Sequence, residues 1–163
     1  MKLIGIDPGS FVTGYGILEI EKDVPTLTEK GIIKVSSRID KYKRVELIYE
    51  KISEILAQNQ PDCAAIEDSF YYKNVKTALF LGQIKGIIIL ALQKNNCKIY
   101  EFSPLEIKRA VVGYGQATKE QVEFMVKRLL NMNTETLSYD CSDAIAAALC
   151  LSASIKLLRL GVV

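Results

Sequence analysis

The sequence has no histidine and no tryptophan, only four prolines, and four cysteines set far apart: Cys63, Cys97, Cys141 and Cys150. Without imidazole, Ser-His-Asp hydrolysis, histidine-ligated zinc and any nuclease with a histidine base are excluded. The cysteines stand among apolar neighbours and lack the close paired spacing of a zinc site, so they read as buried or inert thiols. Surplus charge is scarce as well. Against 19 Asp and Glu there are 21 Lys and Arg, a net +2, so any surface for a polyanion must come from distribution rather than amount. Unbroken apolar stretches are short: residues 86–92 and 144–155 fall below the ~18 residues of a bilayer span, and no secretory start precedes them. A cytoplasmic protein with no membrane partner is expected.

What is present suits a folded chain. Hydrophobic residues make up 49% and charged residues 25%, with no low-complexity tract, and 163 residues fit one domain spanning 1–163. Residues 2–6 form an apolar run closed by Asp7-Pro8-Gly9, the pattern of a buried strand. Residues 12–21 and 26–35 read as two hairpin-connected antiparallel strands separated by Asp23 and Pro25. Over 42–57 the residues Val45, Leu47, Ile48, Ile52, Ile55 and Leu56 recur at three- and four-residue steps, an amphipathic helix that Pro61 closes. A fourth strand, 63–67, ends in Glu67; a buried helix follows over 75–93, then a strand over 98–102. Ser103-Pro104-Leu105-Glu106 and Thr118-Lys119-Glu120-Gln121 are capping boxes opening two helices, the second running to Leu130, and Asp140 opens a last helix over 144–158. This order predicts an α/β fold, a five-stranded mixed sheet flanked by helices.

Chemistry must then rest on carboxylates, lysine, tyrosine or metal. Asp7 and Glu67 each finish a predicted buried strand, the edge where open α/β sheets place ligands. Asp140 and Asp143 are three apart at a helix start, so their Cβ atoms share a face at roughly 5–6 Å. Four such acids together repel unless a divalent cation neutralises them, and an all-oxygen set points to magnesium or manganese. Each acid also has an ordinary reading: turn former for Asp7, helix cap for Asp140, first-turn acid for Asp143. Glu67 resists this, because an acid finishing an apolar strand needs a partner.

Gly5-Ile6-Asp7-Pro8-Gly9-Ser10 with Thr13-Gly14-Tyr15-Gly16, then Ala65-Ile66-Glu67, then Val112-Gly113-Tyr114-Gly115 before Lys119, then Asp140-x-x-Asp143-Ala144, resembles the RuvC Holliday-junction resolvases in order and along the whole chain. The resemblance implies a ribonuclease-H-like fold, a homodimer, and paired cutting of four-way junction DNA during recombination and repair, possible company being a branch-migration motor complex. It implies Asp7, Glu67, Asp140 and Asp143 as the catalytic, metal-holding acids. Some relatives have histidine in place of Asp140; here the set is purely carboxylate. Two Mg2+ ions per site, with Mn2+ able to substitute, are expected about 3.5–4 Å apart, with Asp7 bridging them.

Lys119 and Lys108 match basic residues of the family near the scissile phosphate, where a cation offsets developing charge. Lys73, Lys76 and Lys85 are further candidates for phosphate contact, and Phe70, in Phe70-Tyr71-Tyr72, takes the place of an aromatic that stacks on junction bases. Gly82 and Gly86 on the 75–93 helix allow close approach of another backbone, either the sheet or a dimer partner. Three other readings remain open: an RNA-processing nuclease of the same fold, an actin-like ATPase, which shares Gly-x-Asp-x-Gly but needs a second lobe, and a junction binder without catalysis.

Overall fold

A computed structural model describes residues 1–68, 74–132 and 136–161. Among the described residues the chain runs β1 (Lys2–Asp7), β2 (Val12–Glu21), β3 (Val24–Lys34), α1 (Lys41–Asn59), β4 (Cys63–Glu67), α2 (Val75–Lys94), β5 (Lys98–Phe102), α3 (Pro104–Val112), α4 (Lys119–Leu129) and α5 (Tyr139–Arg159). The sheet order is β3-β2-β1-β4-β5, with β1 antiparallel to β2, β2 to β3, and β1–β4–β5 parallel. The expected five-stranded mixed sheet is therefore present.

Strand alternation sorts side chains between two cores. Leu3, Leu18, Cys63 and Ala65 join the layer of α3, α4 and α5. Ile4, Ile6, Ile17 and Ile66 join α1 and α2 on the other face through Ile48, Ile52, Ile84 and Ile88. Each fully buried aliphatic side chain contributes about 1.5–3 kcal/mol relative to exposure, so both layers are firmly held. By the same parity Asp7 and Glu67 belong to the α5 side.

Three local expectations change. Pro25 does not separate the hairpin strands; it pairs with Ile20 inside β3, an edge strand where a missing N–H is tolerated. The turn is Lys22-Asp23, both with positive φ (48° and 63°), the two-residue geometry whose twist matches flanking strands. The last helix begins a full turn earlier than 144, and its N-cap is Ser138, whose Oγ accepts from the Cys141 amide, which leaves Asp140 in the first turn with its side chain free of capping duty. Both capping boxes form as expected, and all four cysteines are buried and unpaired.

The short apolar stretches understated two helices. Val75–Lys94 and Tyr139–Arg159 are both long and apolar enough to cross a membrane by length and composition, because flanking residues extend the runs with few charges. α5 instead lies across β1 and β2 with residues 144–151 all buried. α2 is buried along one side only, at Ile84, Ile88, Ala91 and Leu92.

Candidate active site

Asp7 and Glu67 end neighbouring parallel strands whose register, Ile6 opposite Ile66, sets them side by side. The turn after Asp7 is tied by the buried Thr13 hydroxyl, which donates to the Gly9 carbonyl at 2.9 Å and accepts from the Gly9 amide at 3.3 Å. Asp140 and Asp143 reach the same edge because α5 lies almost on the sheet backbone. A Cβ at Gly5 would overlap the Ala144 carbonyl oxygen, and one at Gly14 the Asp140 carbonyl oxygen. Gly5 pairs with Gly16 and Gly14 pairs with Asp7, so a glycine floor lies beneath the first turns of α5. Thr13, these glycines and Ser138 position the acids, and sequence reading assigned them no such role; the glycine alternation in β2 was the available signal.

The result is a cleft of about 330 Å³ lined by Asp7, Glu67, Lys108, Lys119 and Asp143, with Ile107 and Val122 among its apolar walls. Asp140 lies beside it, near enough for its charge to act on Asp7. Burial, then the fields of Glu67, Asp143 and Asp140, push the Asp7 carboxyl up to about 8, with Lys119 opposing. Glu67 is also raised, by burial and then by Asp143, and relieved by Lys119 and Lys108. Lys119 donates to Asp143 Oδ2 at 3.0 Å. Burial works against its charged form, yet the bond to Asp143 and the fields of Asp143, Asp7 and Asp140 hold it above its ordinary value. All four acids and both leading lysines are thus in one electrostatic unit.

The donor chemistry fits a hard divalent cation: four carboxylates, no thiol or imidazole, and a carboxyl that burial and its acidic neighbours hold well above its ordinary value. Among the described residues no three acids are grouped closely enough to hold one ion in this arrangement. Lys119 occupies Asp143 instead, as the cation at hand.

The remaining candidates divide. Lys85 lies close to the Glu67 edge, but Asp68 and Glu101 both pair with it, so its charge is engaged within the protein. Lys76 is exposed in the first turn of α2, beyond an Asn74 cap. Phe70 and Lys73 lie outside the described residues.

Comparison with known proteins follows the same geometry. A family described as crossover junction endodeoxyribonuclease RuvC matches residues 3–151. The protein of that name from Thermosipho melanesiensis is 42% identical over 152 residues, covering 93% of this chain and 97% of the relative. The one from Caldanaerobacter subterraneus subsp. tengcongensis is 41% identical over 162 residues, covering 99% and 98%. The structure of Thermus thermophilus RuvC in complex with Holliday junction substrate superimposes with a TM-score of 0.87 at 28% identity, covering 99% of this chain and 96% of that one.

Proposed function

The chain belongs to the RuvC family of crossover junction endodeoxyribonucleases, and from that premise we propose that Asp7, Glu67, Asp140 and Asp143 are the acids with which it resolves four-way DNA junctions by metal-dependent phosphodiester hydrolysis. The observation that carries the assignment is their convergence: Asp7, Glu67 and Asp143 line one cleft with Asp140 beside it, and burial, then the fields of the other three acids, raise the Asp7 carboxyl to about 8. An isolated turn or first-turn acid has no such partners.

Magnesium, with manganese able to substitute, fits the all-oxygen donors, and four carboxylates suffice for the two ions that in-line hydrolysis uses. When bound, such ions supply an activated water and neutralise charge on the leaving 3′ oxygen. The residues of this chain do the rest. Asp7, Glu67, Asp140 and Asp143 would hold such ions, whose charge would favour the ionised form of the Asp7 carboxyl, which burial and the neighbouring acids otherwise disfavour. Lys119, freed from Asp143, and Lys108 across the cleft place ammonium groups beside the phosphate oxygens. Ile107 and Val122 keep that side of the cleft apolar, which strengthens these charges. Lys76 is a peripheral phosphate contact, Phe70 and Lys73 are DNA contacts on the strength of the resemblance alone, and Lys85 pairs with Asp68, directly after Glu67.

A homodimer fits the substrate, since a two-fold pair supplies one active site to each opposed strand. Its support is the outward stripe of α2, where Val75, Leu79, Gly82, Gly86 and Leu90 are exposed and nothing faces either glycine. A branch-migration motor complex as partner rests on the family resemblance alone, and a cytoplasmic location on the sequence reading alone.

The test is cleavage of a mobile four-way junction in magnesium and in manganese, beside linear duplex and an RNA–DNA hybrid. Junction cutting should dominate. Asp7→Asn should lower it by at least about a thousandfold, since each tenfold is about 1.4 kcal/mol and a lost ligand removes several. Wild-type rates in that variant, or preference for the hybrid, overturn the assignment.

A further inference from the structure

We propose that Phe11 is a stacking platform for a base of the strand crossing the carboxylates, with Lys34, Ser36 and Ser37 holding the adjacent phosphate; this rests on the resolvase reading. β2 starts at Val12, and β3, antiparallel to it, ends at Lys34 opposite Val12. Phe11 and residues 34–37 therefore emerge at the sheet edge where Asp7 and Glu67 lie. β3 is two strands from β1, roughly 10 Å at ~4.8 Å per strand. That is about three steps along a nucleic-acid strand at ~3.4 Å each, and because Arg44 and Phe80 hold the ring on the α1–α2 side while the acids face α5, a strand seated on the acids reaches it by crossing the end of the sheet.

The place is built to take such a ligand. The Phe11 ring is 45% exposed, yet it is not loose. Its carbonyl accepts from the Val35 amide at 2.8 Å. The Arg44 guanidinium backs the ring at 4.5 Å, lies 4.9 Å from the Phe80 ring, and donates through Nη1 to the Ser10 carbonyl at 3.4 Å. Arg44 is thus a strut from α1 and α2 to the turn after Asp7, packed over the Phe11 ring, which stays partly exposed. Beside it is a cleft of about 580 Å³ lined by Phe11, Val12, Lys34, Val35, Ser36 and Ser37, with no acid in its wall. Among the described residues no carboxylate pairs with Lys34 or Arg44. Ser36 Oγ accepts from the Arg38 amide at 3.2 Å, which leaves its hydrogen to donate outward. A rigid exposed ring, an unpaired ammonium and free hydroxyl donors match a nucleotide: π-face for base, cation and donors for phosphate. Val12 and Val35 give the cleft an apolar floor beside the ring, and it is the ammonium and hydroxyl donors along its rim that favour a nucleotide over a peptide.

The experiment uses the full chain and a four-way junction in chelator, so that binding is read without cutting. 5-Iododeoxyuridine is placed at successive positions flanking the cut and irradiated. The expected result is cross-linking to Phe11 from one or two adjacent positions, binding by Phe11→Ala weakened roughly five- to a hundredfold, and recovery in Phe11→Tyr, all with unchanged melting temperature. Lys34→Gln should lower the slope of log affinity against log salt by about 0.9. No cross-link at residue 11 together with wild-type affinity in Phe11→Ala overturns the platform, and retained junction cutting by the wild type would leave the parent reading standing. If the wild type neither binds nor cuts the junction, both fall.

Discussion

α5 and α2 are alike in length and apolarity and opposite in commitment. α5 is buried through its middle, pressed onto strands whose glycines have no room for a methyl group. α2 buries one side against the sheet and α1 and turns exposed apolar residues and two unfaced glycines outward. The first helix is buried through its middle within this chain and carries at its head Asp140 and Asp143, the two acids proposed for the site. The second leaves a face that the fold alone does not use. Hydropathy alone does not distinguish them; what lies opposite each glycine does.

The difference is sharpest at Gly14. A methyl there meets the Asp140 carbonyl, a backbone atom in the first turn of α5, so either the helix rises or the strand bends. Gly14→Ala should destabilise by about 3 kcal/mol, the upper range for overpacking, and lower the melting temperature by roughly 6–12 °C. Because the displaced turn carries Asp140 and Asp143, junction cleavage well below the melting temperature should fall further than the folded fraction does. Unchanged melting and cleavage would mean that α5 does not need the glycine floor.

The α5 side is also where charge opposes folding. Asp7 ionises near its ordinary 3.8 when unfolded and at about 8 when folded. Between those values the native state holds a proton that the unfolded state has lost, so stability falls as pH rises and levels off above 8. Glu67, also raised, acts with the same sign. In chelator, stability should drop by about 2 kcal/mol from pH 5 to 8.5, below the ceiling of about 1.4 kcal/mol per unit of displacement because the cluster shares its protons. Asp7→Asn should flatten most of that slope. A flat profile in the wild type would remove the acids' mutual repulsion from the account. No comparable slope is expected from the outward stripe of α2, which holds apolar residues and glycines.

Much of this was legible in the sequence because it is local. The runs ending at Asp7 and Glu67, the period of α1 and both capping boxes depend on residues close in the chain. What escaped depends on residues far apart. Pro25 reads as a breaker until its strand is known to be an edge. Asp140 reads as a cap until Ser138 is seen to accept the Cys141 amide. Lys85 reads as a free cation until Asp68 and Glu101 arrive from other elements. The acids could be named from order and motif, whereas the closeness of α5 to β1 and β2 came from three glycines whose need appears only when the helix is in place.

Gly82 gives the smallest and most discriminating effect. Nothing lies within reach of a Cβ there, so within one chain Gly82→Ala meets no clash and only improves a helix interior. That change stabilises by about 0.5–1 kcal/mol, which raises the melting temperature of dilute protein by roughly 1–4 °C. The same methyl group occupies the space through which a second backbone would approach. If α2 is the dimer contact, sedimentation at rising concentration should therefore show weaker association in the variant that is individually more stable. Opposite signs would separate two uses of a glycine: Gly14 makes room for a helix of its own chain, and Gly82, on the proposed dimer, would make room for a helix of another. A Gly82→Ala protein that melts higher and associates as tightly as the wild type would keep the contrast in packing and remove dimerisation as its reason.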